Sequence, residues 1–296
     1  MLRELAEGVY LEDGYRGGNV GAIMTARGAV LVDAPMLPPE ARTWRATLKE
    51  LGIQRLYGVI ATDYHPEHLI GSAAFMPTRL FGHEYSAKPI AKYRTTGLEQ
   101  LATTYRESNP ALADEIVRIE IHEPEIMVGD RLTLYLGERT LEVLHLEGHT
   151  PASLGVYLPR ERILFAGDNV TCGDHPTMYQ CNSLAWLETL VRIQELEVDV
   201  IVPGIGPVCG KEVVEPLYDY INELRQRIEE MYDRGASRRE CVEKIDMLSW
   251  FPVPDESLAR VKRRCRENVE QVYTEIRTNA RKRRQKSRTP GGPAGG

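Results

Sequence analysis

Several features that mark large protein classes are missing from this chain. Its five cysteines (Cys172, Cys181, Cys209, Cys241 and Cys265) are scattered, odd in number and without a C-x-x-C pair. That argues against a disulfide framework and for a reducing compartment. The first ten residues, MLRELAEGVY, contain no apolar signal core. No stretch is apolar for long enough to span a bilayer. The cytoplasm is therefore the expected location, and no membrane partner is expected. A basic excess is also absent: 43 acidic and 37 basic side chains give a net charge of −6. A mildly acidic protein has no general pull toward nucleic acid, so none is expected as a partner. The one basic run, residues 281–288 (RKRRQKSR), leaves −12 on the rest of the chain. It reads as a solvated, disordered tail that continues to residue 296. No internal repeat is visible at a period of about 20–50 residues.

What is present is an ordinary globular composition, 42% hydrophobic and 27% charged over 296 residues. That suits one large α/β domain or two small ones. Residues 9–11, 20–25 and 29–32 read as short strands punctuated by glycine, with a hairpin turn at Arg27-Gly28. Pro38-Pro39 opens a helix over 38–52, in which Trp44, Leu48 and Leu51 recur at helical spacing. Leu56 to Ala61 is an apolar run of strand length. Residues 84–118 read as helical with a break at Asn109-Pro110. Strand pairs follow at 132–143 and 154–166, then a helix over 184–196 and a buried-type strand over 198–202. The remainder is helical. Leu217, Tyr220, Ile221, Leu224, Ile228 and Met231 form an apolar stripe. Ser237 with Glu240 is a capping-box pair, and a last helix is expected from about Asp255 to Thr278. Trp250-Phe251-Pro252 is an aromatic break that reads as core packing.

Three polar clusters stand at the C-terminal ends of apolar strands: Thr62 to His68, Gly148-His149-Thr150 and Gly167-Asp168-Asn169. Aspartate, glutamate and histidine are the ligands expected for zinc, iron or manganese. A lone histidine after a strand is usually incidental. Four ionisable groups within six residues, joined by His149 and Asp168 at two further strand ends, are not. Strand ends beside loops are also where such folds place their chemistry.

At these residues the chain resembles the metallo-β-lactamase superfamily, over about residues 5–210. A strand ending in aspartate matches Leu31-Val32-Asp33-Ala34-Pro35. The T-H-x-H-x-D-H loop is Thr62-Asp63-Tyr64-His65-Pro66-Glu67-His68. The G-H-T-P-x-S turn is matched in full by Gly148 to Ser153, and the strand ending in G-D by Ala166-Gly167-Asp168. The closing P-G-H-G-P reads Pro203-Gly204-Ile205-Gly206-Pro207. The resemblance implies an α/β fold, a four-layer αββα sandwich over residues 1–210. A helical extension over 211–280 would pack on it, ahead of the tail at 281–296.

The resemblance also implies a ligand set, altered here at two places. One metal position would use Asp63, His65 and His149, with Asp168 alongside; a carboxylate stands where the family has its first histidine. The second would use Glu67, His68 and Asp168, but its remaining ligand is Ile205, which cannot bind metal. Cys209 and His175 are the candidate replacements, though each reads first as an ordinary buried thiol or loop histidine. Zinc is the ion implied, and one ion is expected in place of two. A carboxylate-rich site also lets iron or manganese compete. Asp33 would orient a ligand from behind. Tyr64 and Tyr179 are candidate pocket residues, and His83, His122 and His145 read as structural.

The expected activity is hydrolysis of a small ester, thioester, lactone or amide by a metal-bound hydroxide, with Glu67, His68 and Asp168 as catalytic residues. The alternatives are a mononuclear-iron enzyme oxidising thiols and a non-catalytic binding protein on the same fold. A small-molecule substrate is the expected partner. The C-terminal helices are a candidate surface for pairing with a second copy.

Overall fold

The structure, a computed structural model, describes residues 1–288. Strands β1 (Leu2–Ala6), β2 (Val9–Glu12), β3 (Val20–Ile23) and β4 (Ala29–Val32) form an antiparallel meander. Helix α1 (Pro38–Glu50) then crosses to β5 (Leu56–Ile60), parallel to β4. The short helix α2 (Pro66–Leu69) and a 3-10 segment lead to β6 (Arg79–His83). Helices α3 (Ala87–Lys92), α4 (Leu98–Thr103) and α5 (Pro110–Val117) lead to β7 (Ile126–Val128), which closes a seven-stranded sheet in sequence order. The second sheet has the order β12-β11-β10-β9-β8, with β8 (Arg131–Tyr135), β9 (Thr140–His145), β10 (Leu154–Leu158), β11 (Ile163–Gly167) and β12 (Val200–Pro203). Helix α6 (Ser183–Glu195) makes the crossover that sets β12 parallel to β11.

Alternation along the strands builds the layers. Successive side chains point to opposite faces. Val30, Val32, Ile60 and Phe81 pack between the sheets against Val143, Val156, Ile163 and Phe165. Leu31, Val59 and Leu80 face the other way, onto Trp44, Leu48 and the α3–α5 region. On the second sheet Leu144, Leu164 and Ala166 face α6 and the C-terminal helices. Strands buried on both faces carry continuous apolar runs, as β3, β4, β10 and β11 do. The result is the expected αββα sandwich.

The C-terminal helices α7 (Val214–Asp233), α8 (Arg238–Lys244) and α9 (Leu258–Arg288) pack on the α6 side through Leu217, Ile221, Leu224, Val269 and Val272. The Ser237–Glu240 capping box is present at α8, and Trp250 and Phe251 pack in this cluster as expected. Strands β1, β6 and β7 escaped the sequence reading; β7 is only three residues long, too short to show a period. The region read as one broken helix contains α3, a π-helical turn at Tyr93–Gly97, α4 and α5. Helix α9 runs on to Arg288, past the expected end near Thr278, so residues 281–288 are helical where a disordered tail was expected. The rest of that tail, 289–296, lies outside the described residues.

Candidate metal centre

The C-terminal ends of β4, β5, β9, β11 and β12 open on one edge of the sandwich. Leu154 at the start of β10 donates its N–H to the Thr62 carbonyl at 2.6 Å, which stitches the two sheets together there. Asp33 follows β4 with φ +57, a left-handed conformation that aspartate tolerates better than most residues. Its carboxylate holds it there by accepting from Thr62 N and Thr62 Oγ1, both at 2.7 Å, and bonding His68 Nδ1 at 2.9 Å. His68 is thereby turned so that Nε2 faces Asp168 Oδ2 at 3.4 Å.

The loop after β5 brings the other donors in. Asp63 Oδ1 accepts from the His65 N–H at 2.6 Å, leaving Oδ2 3.2 Å from His65 Nδ1. His149 Nε2 lies 3.2 Å from His65 Nδ1, 3.8 Å from Asp63 Oδ2 and 3.6 Å from Asp168 Oδ2. Donor atoms of Asp63, His65 and His149 all lie within 4.8 Å of one another. His149 is fixed from behind: Nδ1 bonds the Thr177 carbonyl at 2.8 Å and its backbone N–H donates to Asn169 Oδ1 at 2.9 Å. The Trp186 indole donates to the Asn169 carbonyl and packs edge-on to the His149 ring. Asp168 lies against Gly204; a Cβ there would sit 1.9 Å from Asp168 Oδ1.

Charge in this cleft is mutually dependent. Burial opposes the charged form of His68, but Asp33, Asp168 and Asp63 outweigh it and raise its pKa well above the ordinary value. Burial likewise opposes the charge of Asp63 and Asp168, yet the surrounding imidazoles hold both below the usual carboxylate range. For His65 burial again works against the charge, and Asp63 carries the pKa up to about 9. A metal ion suits this environment. Donor atoms of Asp63, His65 and His149 converge, and Asp63 Oδ1, His65 Nε2 and His149 Nδ1 on their far sides already have hydrogen-bond partners. His68 Nε2 is buried without a hydrogen bond, and Asp168 Oδ2, 3.4 Å away, is its ion-pair partner.

Not every expected residue joins the cluster. Glu67, in the first turn of α2, makes no hydrogen bond or ion pair with any of these groups. Ile205 is 56% exposed on a loop that Asn19 holds through the Pro203 and Gly206 carbonyls. Neither candidate replacement reaches the centre. The Cys209 thiol faces the Ile201 carbonyl. His175 is buried among Tyr220, Phe251 and Cys265 of the C-terminal helices. Tyr64 is no open pocket wall: it is buried and its hydroxyl donates to Gln180 Oε1 at 2.7 Å. Tyr179 is 65% exposed and makes no ring contact or hydrogen bond. His83 and His145, read as structural, stack on each other with centroids 3.9 Å apart.

Gln180 was missed; its amide oxygen also stands 3.3 Å from His65 Nε2. Tyr93, in the π-helical turn, was missed too. Burial first, then the Glu67 and Asp63 carboxylates, push its pKa up and keep its hydroxyl protonated beside the cleft. π-Turns occur often at functional sites, but nothing in the sequence marks one.

Residues 13–205 match the model of the metallo-beta-lactamase superfamily. The chain belongs to this superfamily. Among curated relatives, the linear primary-alkylsulfatase of Pseudomonas sp. (strain ATCC 19151) is 23% identical over 76% of the chain and 49% of its own length. The acyl-coenzyme A thioesterase MBLAC2 of Homo sapiens is 25% identical over 71% of the chain and 82% of its own length. The chain thus spans about half the length of the alkylsulfatase relative. A metallo-beta-lactamase family protein from Thermus thermophilus superposes with a TM-score of 0.65 at 20% identity, covering 98% of both chains. That likeness supports the fold, C-terminal helices included. Among the described residues no helix is long and apolar enough to cross a membrane.

Proposed function

We propose that the protein is a metal-dependent hydrolase of a small ester, thioester, lactone or amide. The observation that carries this reading is the convergence of Asp63, His65 and His149, with Asp168 Oδ2 3.6 Å from His149 Nε2. The curated relatives support it, since one is named a thioesterase and another an alkylsulfatase.

In this reading Asp63, His65 and His149 would hold one ion, with Asp168 alongside. Zinc is the first candidate from the superfamily's chemistry; the two carboxylates also suit iron or manganese. A bound divalent ion supplies a water of lowered pKa and polarises the scissile carbonyl. Asp168 stays ionised beside His68 Nε2, and Glu67 would take the proton of the attacking water. Asp33 keeps the His68 ring fixed during that transfer. Glu67, which makes no side-chain hydrogen bond or ion pair, is available to carry the proton onward to the leaving group. The protonated Tyr93 hydroxyl is a donor for the substrate oxygen.

The test is turnover of aryl esters, aryl thioesters and lactones before and after chelation, with metal analysis of the same samples. Hydrolysis that disappears with the metal and returns with one equivalent is the expected result. Undiminished turnover by the chelated protein would overturn the reading.

A further inference from the structure

Helix α9 lies beyond the matched residues 13–205, yet one of its faces is bonded to the loop that backs the metal centre. Arg264 Nη1 donates to the His175 carbonyl at 2.6 Å and to Asp174 Oδ2 at 2.9 Å. Asn268 Nδ2 donates to the Pro176 carbonyl at 2.8 Å, and Asn268 Oδ1 accepts from Met178 N at 3.0 Å. Gln271 Nε2 donates to the Cys181 carbonyl at 3.2 Å. Residues 264, 268 and 271 follow the three-and-four spacing of one helix face. The assignment of the Asn268 amide is unambiguous, because a proline carbonyl only accepts and a backbone N–H only donates.

The residue bracketed by these two Asn268 bonds is Thr177, whose carbonyl bonds His149 Nδ1. Three residues on, Gln180 contacts His65 Nε2 and Tyr64. A side chain 1% exposed therefore fixes both peptide neighbours of the group that orients a donor histidine. We infer that Asn268 is a positioning residue of the metal centre: it aims the Thr177 carbonyl so that His149 carries a proton on Nδ1 and turns Nε2 toward the point where donor atoms of Asp63 and His65 also converge. Partners of this kind set ring orientation and tautomer at metal-binding histidines. The inference rests on the proposed metal site for its affinity consequence, but its structural content concerns the metal-free protein.

The experiment compares the full chain with Asn268→Ala and Val272→Ala. Val272 is fully buried on the same helix as a member of the apolar cluster, so its truncation controls for a loosened helix. Each protein is checked for native circular dichroism. Zinc affinity is then measured by competition with a chelator, and the His149 tautomer by imidazole nitrogen shifts in the metal-free state. Asn268→Ala is expected to bind zinc about 10- to 100-fold more weakly and to show mixed His149 tautomers. Val272→Ala is expected to match the parent on both counts. Parent-like affinity and tautomer in Asn268→Ala would overturn the inference, as would equal losses in Val272→Ala. If the parent itself binds no zinc, the proposed function fails, and the tautomer measurement alone decides the role of Asn268. Should Asn268→Ala fail to fold, Arg264→Ala, which frees the other end of the same loop, is read by the same two measurements with a smaller loss expected.

Discussion

The two halves of the metal cleft are built differently. Around Asp63, His65, His149 and Asp168 every imidazole has a partner behind it: Thr177 for His149, Gln180 for His65, Asp33 for His68. Around Ile205 the loop is held as firmly, by three hydrogen bonds from Asn19, but it carries no donor side chain. A firmly bonded loop without a donor side chain and a firmly bonded set of donor side chains sit side by side. The difference teaches that in this chain the hydrogen-bonded loop backbone and the donor side chains are set independently.

The sharpest way to break the ligand-bearing half is His149→Ala. It removes a donor aimed at the centre, and turnover is expected to fall by roughly three orders of magnitude or more, with metal content falling in parallel. Asp168→Asn is expected to act similarly, because the amide loses the anionic oxygen facing both His68 and His149. Gly204→Ala attacks the same carboxylate without touching a donor: its methyl group would overlap Asp168 Oδ1, so Asp168 must rotate away and metal affinity must drop. Native metal affinity in Gly204→Ala would mean that Asp168 is not a ligand. Asp33→Asn removes the anion behind His68 and is expected to lower activity by about 10- to 100-fold, measured as kcat/KM.

Two further experiments sharpen the contrast. Ile205→His restores a donor on an intact loop, and metal analysis should move from one toward two ions per chain. A second ion already present in the parent would erase the comparison. The smallest effect is that of pH. Metal binding must displace the proton that Asp63 keeps on His65 up to about 9. Affinity should therefore tighten as pH rises from neutral to about 9, with proton release on binding. A flat profile in calorimetric titrations would contradict that linkage.

Much of this was legible in the sequence because the relevant signals are local. The apolar runs ending at Asp33, Ala61 and Gly167, and the donors packed into Thr62–His68, are readable from neighbours along the chain. The family resemblance grouped Asp63 with His65 and set His68 beside Asp168, while nothing in the loop revealed that Glu67 would make no hydrogen bond or ion pair with them. The Glu67 assignment came from alignment with a motif, and a motif does not specify where a longer side chain points.

The sequence by itself determined the strand ends and the polar loops that follow them, and its resemblance to the metallo-β-lactamase superfamily implied the αββα sandwich and an apolar Ile205 where the family has a histidine. Alternation with period two and tightly spaced polar loops leave an imprint on residue type. Only the tertiary structure decided who stands behind each donor. Thr177 and His149 are joined across 28 positions, Tyr64 and Gln180 across 116, and Met178 and Asn268 across 90. Several of these contacts use backbone carbonyls and N–H groups, which nearly every residue possesses. Such partners have no signature in residue identity, and they exist only once the sheets and the last helix have packed.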